Sequence, residues 1–207
     1  MESTPGGPAC GSTNICWKYI PINDTWEEIG NMVHYADAPA YDYTETFGLA
    51  IAHHEASTFE VTKDGVNFEI LAPYPNNDVL EVDCTSGCSG ETDDGCLVVL
   101  DDKNVFLAGG RSESEPENDA FSPRAFIYNR VNDEWREVAS MPQGRKLHSC
   151  GVVDSFGGYQ VIVAGSEENF DAADQPVEFS VDIYDIRSDA WIPGMENSKI
   201  EFSPCKH

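Results

Sequence analysis

Positive charge is what this sequence has least of. Lysine and arginine together number 12 against 37 aspartates and glutamates, a formal net charge of −25 over 207 residues. Phosphate contacts supply most of the affinity in nucleic-acid binding and need the opposite sign, so no nucleic-acid partner is expected. An anionic membrane surface is disfavoured for the same reason. Long hydrophobic runs are missing as well. No apolar stretch approaches the roughly 20 residues of a membrane span, so no membrane insertion is expected. The opening MESTPGGPACGSTNIC has neither a basic end nor an apolar centre and does not read as a secretory signal. On that reading the chain either stays inside the cell or lacks its true N-terminus. No segment carries apolar residues at i, i+3, i+4 through a helix length. They alternate or run for a few residues only, which is the strand pattern.

Enzyme signatures are equally scarce. There is no G-x-S-x-G, no phosphate-binding loop and no H-E-x-x-H. His53-His54 is the one His pair. Neighbouring side chains on a strand point to opposite faces, so the two do not readily share one metal. No C-x-x-C and no D-x-D-x-D-G loop is present, which argues against zinc and against an EF-hand type calcium site. No catalytic residue, no metal and no cofactor is therefore expected.

What the sequence does have is a spacing. Tyr19 and Trp26, Tyr128 and Trp135, and Tyr184 and Trp191 each stand seven residues apart. A looser copy, FEVTKDGVNFEILAPYP, has Phe59, and Phe68 in place of the Trp. Trp26, Phe68, Trp135 and Trp191 are separated by 42, 67 and 56 residues, an internal repeat stretched by loop insertions. Around the last two copies the strands are legible. Cys96–Leu100, Asn104–Gly110, Ala125–Arg130 and Trp135–Ser140 are short runs divided by two tight turns and one long loop. His148–Asp154, Gln160–Ser166, Val177–Ile186 and the WIPGM segment repeat that order. Four antiparallel strands per unit, repeated, make an all-β chain of propeller blades.

The order strand, Gly-Gly, Tyr, Trp, Met-Pro, Arg-x-x-His resembles the kelch repeat. Gly109, Gly110, Tyr128, Trp135, Met141-Pro142, Arg145 and His148 match it, and the following unit keeps Tyr184 and Trp191. Tyr19 and Trp26 are all that the first unit keeps, and the second has His53-His54 near the place of the Gly pair. The resemblance implies blades over about 15–30, 47–75, 96–142 and 145–195, within a propeller spanning 15–195. It leaves 1–14 as a flexible N-terminal segment and 196–207 as a tail or the start of a further blade. Kelch-like rings close with more blades than this, so an incomplete propeller is expected. A true four-bladed ring is the alternative. Arg145 and His148 are read as structural residues that hydrogen-bond within or between blades.

In such a blade the strand two-to-three loop and the blade-joining segment share one face. The long segments Asn31–Thr46, Asn76–Gly95, Arg111–Arg124 and Glu167–Pro176 all fall there. They hold 3, 6, 4 and 4 acidic residues, 17 of the 37, against two bases, Arg111 and Arg124. Long loops on a rigid scaffold are where binding resides. The expected function is a non-enzymatic protein-binding module whose acidic face takes a basic protein, with Asp78, Glu81, Asp83, Asp93, Asp94, Glu113, Glu115 and Glu117 as partner-binding residues. The competing reading of the same acidity is solubility alone. A propeller enzyme of the copper-radical oxidase type, needing Tyr, Cys and His from several blades, and an acidic calcium-binding extracellular domain are the alternative functions.

Seven cysteines complete the picture. Cys84, Cys88 and Cys96 cluster in a Gly/Ser-rich stretch and are the expected disulfide candidates, whereas Cys150 lies in a strand and reads as simply buried. A disulfide implies an oxidising compartment. With the sequon Asn23-Asp24-Thr25 it tips the expected location toward the extracellular side.

Overall fold

The structure, a computed structural model, describes residues 13–36, 39–53, 58–75, 95–110, 121–146, 148–155, 158–165 and 181–193. Among these every regular element is a strand. A hairpin, β1 (Thr13–Ile20) and β2 (Thr25–Ala36), comes first. The first sheet holds β3 (Ala40–Thr44), β4 (Gly48–Ala52), β5 (Phe59–Thr62) and β6 (Glu69–Leu71). The second holds β7 (Cys96–Val99), β8 (Asn104–Ala108), β9 (Ala125–Asn129) and β10 (Glu134–Val138). The third holds β11 (Ser149–Ser155), β12 (Gly158–Ala164), β13 (Val181–Asp185) and β14 (Ala190–Pro193). Each four-stranded sheet runs in chain order, antiparallel throughout.

The sheets stack face to face, and the sequence pattern follows from that. The second sheet is covered on both sides, so CLVV and VFLA run apolar without alternation and every residue of β7 is buried. One core lies between the first and second sheets, with Phe47, Phe59, Val61, Leu97, Leu107 and Tyr128. The other lies between the second and third, with Phe106, Ile127, Met141, Val161, Val163 and Tyr184. The first strands of neighbouring sheets pack side by side, β3 on β7 and β7 on β11. Asp42 on β3 accepts the Val99 amide of β7 at 2.7 Å.

Three expectations change. Asn31–Thr46 is not a long loop: β2 extends to Ala36 and β3 begins at Ala40, so the second unit starts ahead of position 47. Two irregularities in the pairing of β1 with β2 carry the hairpin further than regular alternation foretells. Phe59 and Phe68 do not face each other as a Tyr–Trp pair, because Phe59 pairs with Leu71, and Phe68 lies just before the strand, on the Thr62 side of the turn. The disulfide joins Cys96 on β7 to Cys150 on β11, with Cα atoms 5.8 Å apart. Cys150 is therefore a bonded partner, while Cys84 and Cys88 lie outside the described residues. Side-by-side first strands bring these two sulfurs together, a proximity that sequence clustering does not encode.

Candidate functional site

The base of the long-loop face is built from the end of β8. Gly109 and Gly110 take φ values of 70° and 107°, which favour glycine. A Cβ on Gly109 would stand 2.6 Å from the Arg145 carbonyl oxygen and would collide with the His148 ring. The same stretch ties together the chain on either side of residues 111–120. The Gly110 amide donates to the Arg145 carbonyl at 2.8 Å, the Ser122 amide to the Gly110 carbonyl at 2.8 Å, and the Gly109 amide to the Arg124 carbonyl at 3.0 Å.

Arg145 is buried and crosses from the segment joining the second and third sheets to the third. Its Nη2 donates to Asp182 Oδ2 at 2.6 Å, and its Nη1 donates to the Gly165 carbonyl. His148 lies buried over Gly109. Burial first, then the Arg145 charge, push its pKa down to about 4, partly offset by the Ala108 backbone. It is neutral at pH 7.

On the opposite face the Tyr and Trp of each copy form a clamp. Tyr128 pairs directly with Trp135 and Tyr184 with Trp191, so each pair shares one side of its sheet. The Tyr128 hydroxyl donates to Asp133 Oδ1 at 2.7 Å. That same oxygen accepts the Ala72 amide of the preceding sheet at 2.8 Å, while Trp135 Nε1 donates to the Ala72 carbonyl at 2.8 Å. The next joint repeats it. Tyr184 donates to Asp189 at 2.6 Å, the Ala139 amide donates to Asp189 at 2.9 Å, and Trp191 Nε1 donates to the Ala139 carbonyl at 2.7 Å. One Tyr–Asp–Trp set thus reads both main-chain groups of a single residue next door.

The Asp of this clamp was missed in the sequence, although NDTW, NDEW and SDAW each place it two residues before the Trp. Asp24, Asp133 and Asp189 share φ values of 51°, 52° and 49°, a conformation Asp tolerates better than most residues. Burial chiefly, then the Asp hydrogen bond, raise the pKa of Tyr128 and of Tyr184.

A third cluster joins the hairpin to the first sheet. Glu60 on β5 is fully buried and accepts the amides of Val33 at 2.9 Å and His34 at 2.8 Å. Nδ1 of His34 lies 2.7 Å from Glu60 Oε1, and Nε2 of His53 lies 3.5 Å from it. A buried carboxylate is tolerated when its oxygens are this fully engaged. Among the described residues no group of three His, Cys, Asp or Glu side chains has the arrangement of a metal site.

The residues expected to bind a partner, Asp78, Glu81, Asp83, Asp93, Asp94, Glu113, Glu115 and Glu117, lie outside the described residues, as does His54. Of the acids counted on the Asn31–Thr46 segment, Asp42 and Glu45 belong to β3 and its turn. Arg124 is paired with Glu137 at 3.0 Å. A cleft of about 340 Å³ between the second and third sheets is lined by Asp101, Asn104, Asn129 and Tyr159 among others. Asp101 and Asn129 spend side-chain oxygens there on their own turns.

Neither a family model nor a curated protein matches the sequence. Solved structures do match. One is YjhT, a kelch-repeat propeller protein, at a TM-score of 0.57 and 14% identity over 78% of this chain. The fold is that of a β-propeller. The chain spans about half, 52%, of the length of that structure. The three four-stranded sheets are blades, and the β1–β2 hairpin has the Tyr–Trp pairing of a blade's outer two strands.

Proposed function

We propose that this chain is a kelch-type, non-enzymatic binding module whose acidic long-loop face takes a basic protein. The observation that supports the reading is the fixed chain on either side of residues 111–120: Gly110 and Ser122 bond to each other and to the main chain of Arg145, in the segment leading to the next blade. A rigid base presenting charged loops is the usual arrangement of a recognition surface. With Asn31–Thr46 removed, the three remaining segments hold 6, 4 and 4 acids, 14 in all, against Arg111 and Arg124. Glu137 already engages Arg124. The Cys96–Cys150 crosslink favours an oxidising compartment, and hence the extracellular reading.

Complementary charge speeds encounter, and the effect fades with salt because screening sets in over about 8 Å at physiological ionic strength. Affinity capture supplies a partner, and association rates are then measured at low and high salt. Glu113→Gln, Glu115→Gln and Glu117→Gln together should slow association at low salt. Glu45→Gln, Asp102→Asn and Glu134→Gln, on the short-turn face, should change it little. Equal effects from the two sets, or rates indifferent to salt, would mean the acidity serves solubility.

A further inference from the structure

One motif stays outside the proposed function. Asn23-Asp24-Thr25 is the one N-x-S/T sequence of the chain, and it falls at the turn between β1 and β2. The turn is closed by the Asn23 amide, which donates to the Ile20 carbonyl at 3.2 Å, and by the Asp24 amide, which donates to the Pro21 carbonyl at 3.4 Å. The middle residue of the motif is committed to the fold. Asp24 takes a φ of 51°, and its Oδ1 accepts the Tyr19 hydroxyl at 2.6 Å. The two outer residues are not. Asn23 and Thr25 are both exposed, and among the described residues no group hydrogen-bonds the Asn23 side chain.

That exposure belongs to the position in the blade. The Tyr-to-Trp spacing aligns Asn23 with Asn132 of the second blade and with Ser188 of the third. Both of those residues are exposed, although the second blade is covered on both sides. A bulky group attached here therefore runs out into solvent even where blades stand on either flank. Thr25 aligns with Glu134, which is exposed as well. The related N-x-C pattern at Asn14-Ile15-Cys16 is placed differently. Asn14 lies within β1, half-buried, and its Nδ2 donates to the Met32 carbonyl at 3.3 Å.

We infer that Asn23 is the acceptor of an N-linked oligosaccharide. The co-reactant is an oligosaccharide carried on a polyprenyl pyrophosphate. A bond forms between Asn23 Nδ2 and C1 of the first sugar, the C1–O bond to the pyrophosphate breaks, and the amide proton leaves with the pyrophosphate. The hydroxyl of Thr25 is the second element that the transferase reads in the motif. The inference rests on the oxidising-compartment part of the reading above, since the transfer takes place on the secretory route. A glycan is bulky and solubilising, and it belongs at a surface turn. Here it stands beside Ile22, 90% exposed at the tip of the same turn, and shields it from water. It sits on the short-turn face, so the acidic long-loop face stays open to a partner.

The full 207-residue chain, led into endoplasmic-reticulum microsomes by a cleavable signal placed ahead of it, tests this. Protease added outside removes every chain that has not entered, so each chain scored has met the transferase. The expected result is a single glycan, removed by peptide N-glycosidase, with aspartate left at position 23 in the peptide mass spectrum. Asn23→Gln and, separately, Thr25→Ala should abolish it. Thr25→Ser should keep part of it, and Asn14→Gln should leave it unchanged. Enclosed chains without a glycan, or a glycan that survives Asn23→Gln, overturn the inference. A thiol count on the same enclosed chains keeps the two readings apart. Cys96 and Cys150 bonded with Asn23 bare sinks this inference alone, whereas a glycan on Asn23 with seven free thiols upholds it and removes the crosslink.

Discussion

Asp133→Ala and Asp24→Ala make the same change in the same turn, at the same backbone angle, in two different surroundings. Asp133 accepts from the fully buried Tyr128 and from the Ala72 amide of the preceding blade. Asp24 accepts from the partly exposed Tyr19 and, among the described residues, from no neighbouring blade. The cost of placing Ala in a left-handed conformation is common to both and cancels. What remains for Asp133 is two hydrogen bonds to a charged group, each worth about 1.5–3 kcal/mol. Water reaches part of this site, so the lower bound applies to each and the loss comes to about 3 kcal/mol. For Asp24, water replaces one exposed bond, and the loss is much the smaller of the two. Urea unfolding compares the two losses, provided fluorescence and circular dichroism transitions coincide. Asp189→Ala should follow Asp133→Ala. Losses for Asp133→Ala and Asp24→Ala that agree within error would refute the clamp as a joint between blades.

Thiol titration of the denatured, unreduced chain should find at most five free thiols of seven, because Cys96 and Cys150 are bonded. Reducing that bond, which closes a 54-residue separation, should lower stability by about 4 kcal/mol, and seven free thiols would remove the crosslink from the fold. The pKa of His148 is depressed to about 4 from an ordinary 6.5, so the folded state resists protonation that the unfolded state accepts. Its contribution is complete above 6.5 and is lost as pH falls from there toward 4. A His148→Gln variant should flatten the stability profile in that window, and an unchanged slope would mean His148 does not titrate where its burial says it must. Gly109→Ala should destabilise markedly through strain at its positive φ and the collision with His148, and a silent Gly109→Ala would contradict the close approach.

The three Tyr–Trp copies were legible because a hairpin with a fixed turn puts those two residues directly opposite, and an antiparallel register is written in sequence spacing. The strands of the second and third blades showed for the related reason that buried strands are short apolar runs. β3 was hidden: AYDYT alternates but turns Tyr41 and Tyr43 outward, so no apolar run announces it. The Cys96–Cys150 pair was hidden too, since first strands 54 residues apart meet only once the blades have stacked. The Glu60 cluster gathers residues from β2, β5 and the end of β4, and nothing in FEVT marks a carboxylate that will be enclosed. The acidic segments could be counted in the sequence, but the bond between the main chains of Gly110 and Arg145 is a fact of three dimensions.

The Cys96–Cys150 bond also decides how the stack comes apart. It joins two first strands, at the spine where the blades meet, and the second and third blades are therefore bound like pages of a book. They can fan open at their outer edges, where Trp191 grips Ala139, but they cannot leave each other. The first and second blades have no such binding among the described residues. Their spine is held by the Asp42–Val99 hydrogen bond and their outer edge by Trp135 on Ala72. Heat, denaturant or a pull on the ends should open that joint first, shedding the hairpin and first blade while the second and third stay closed as a stapled pair.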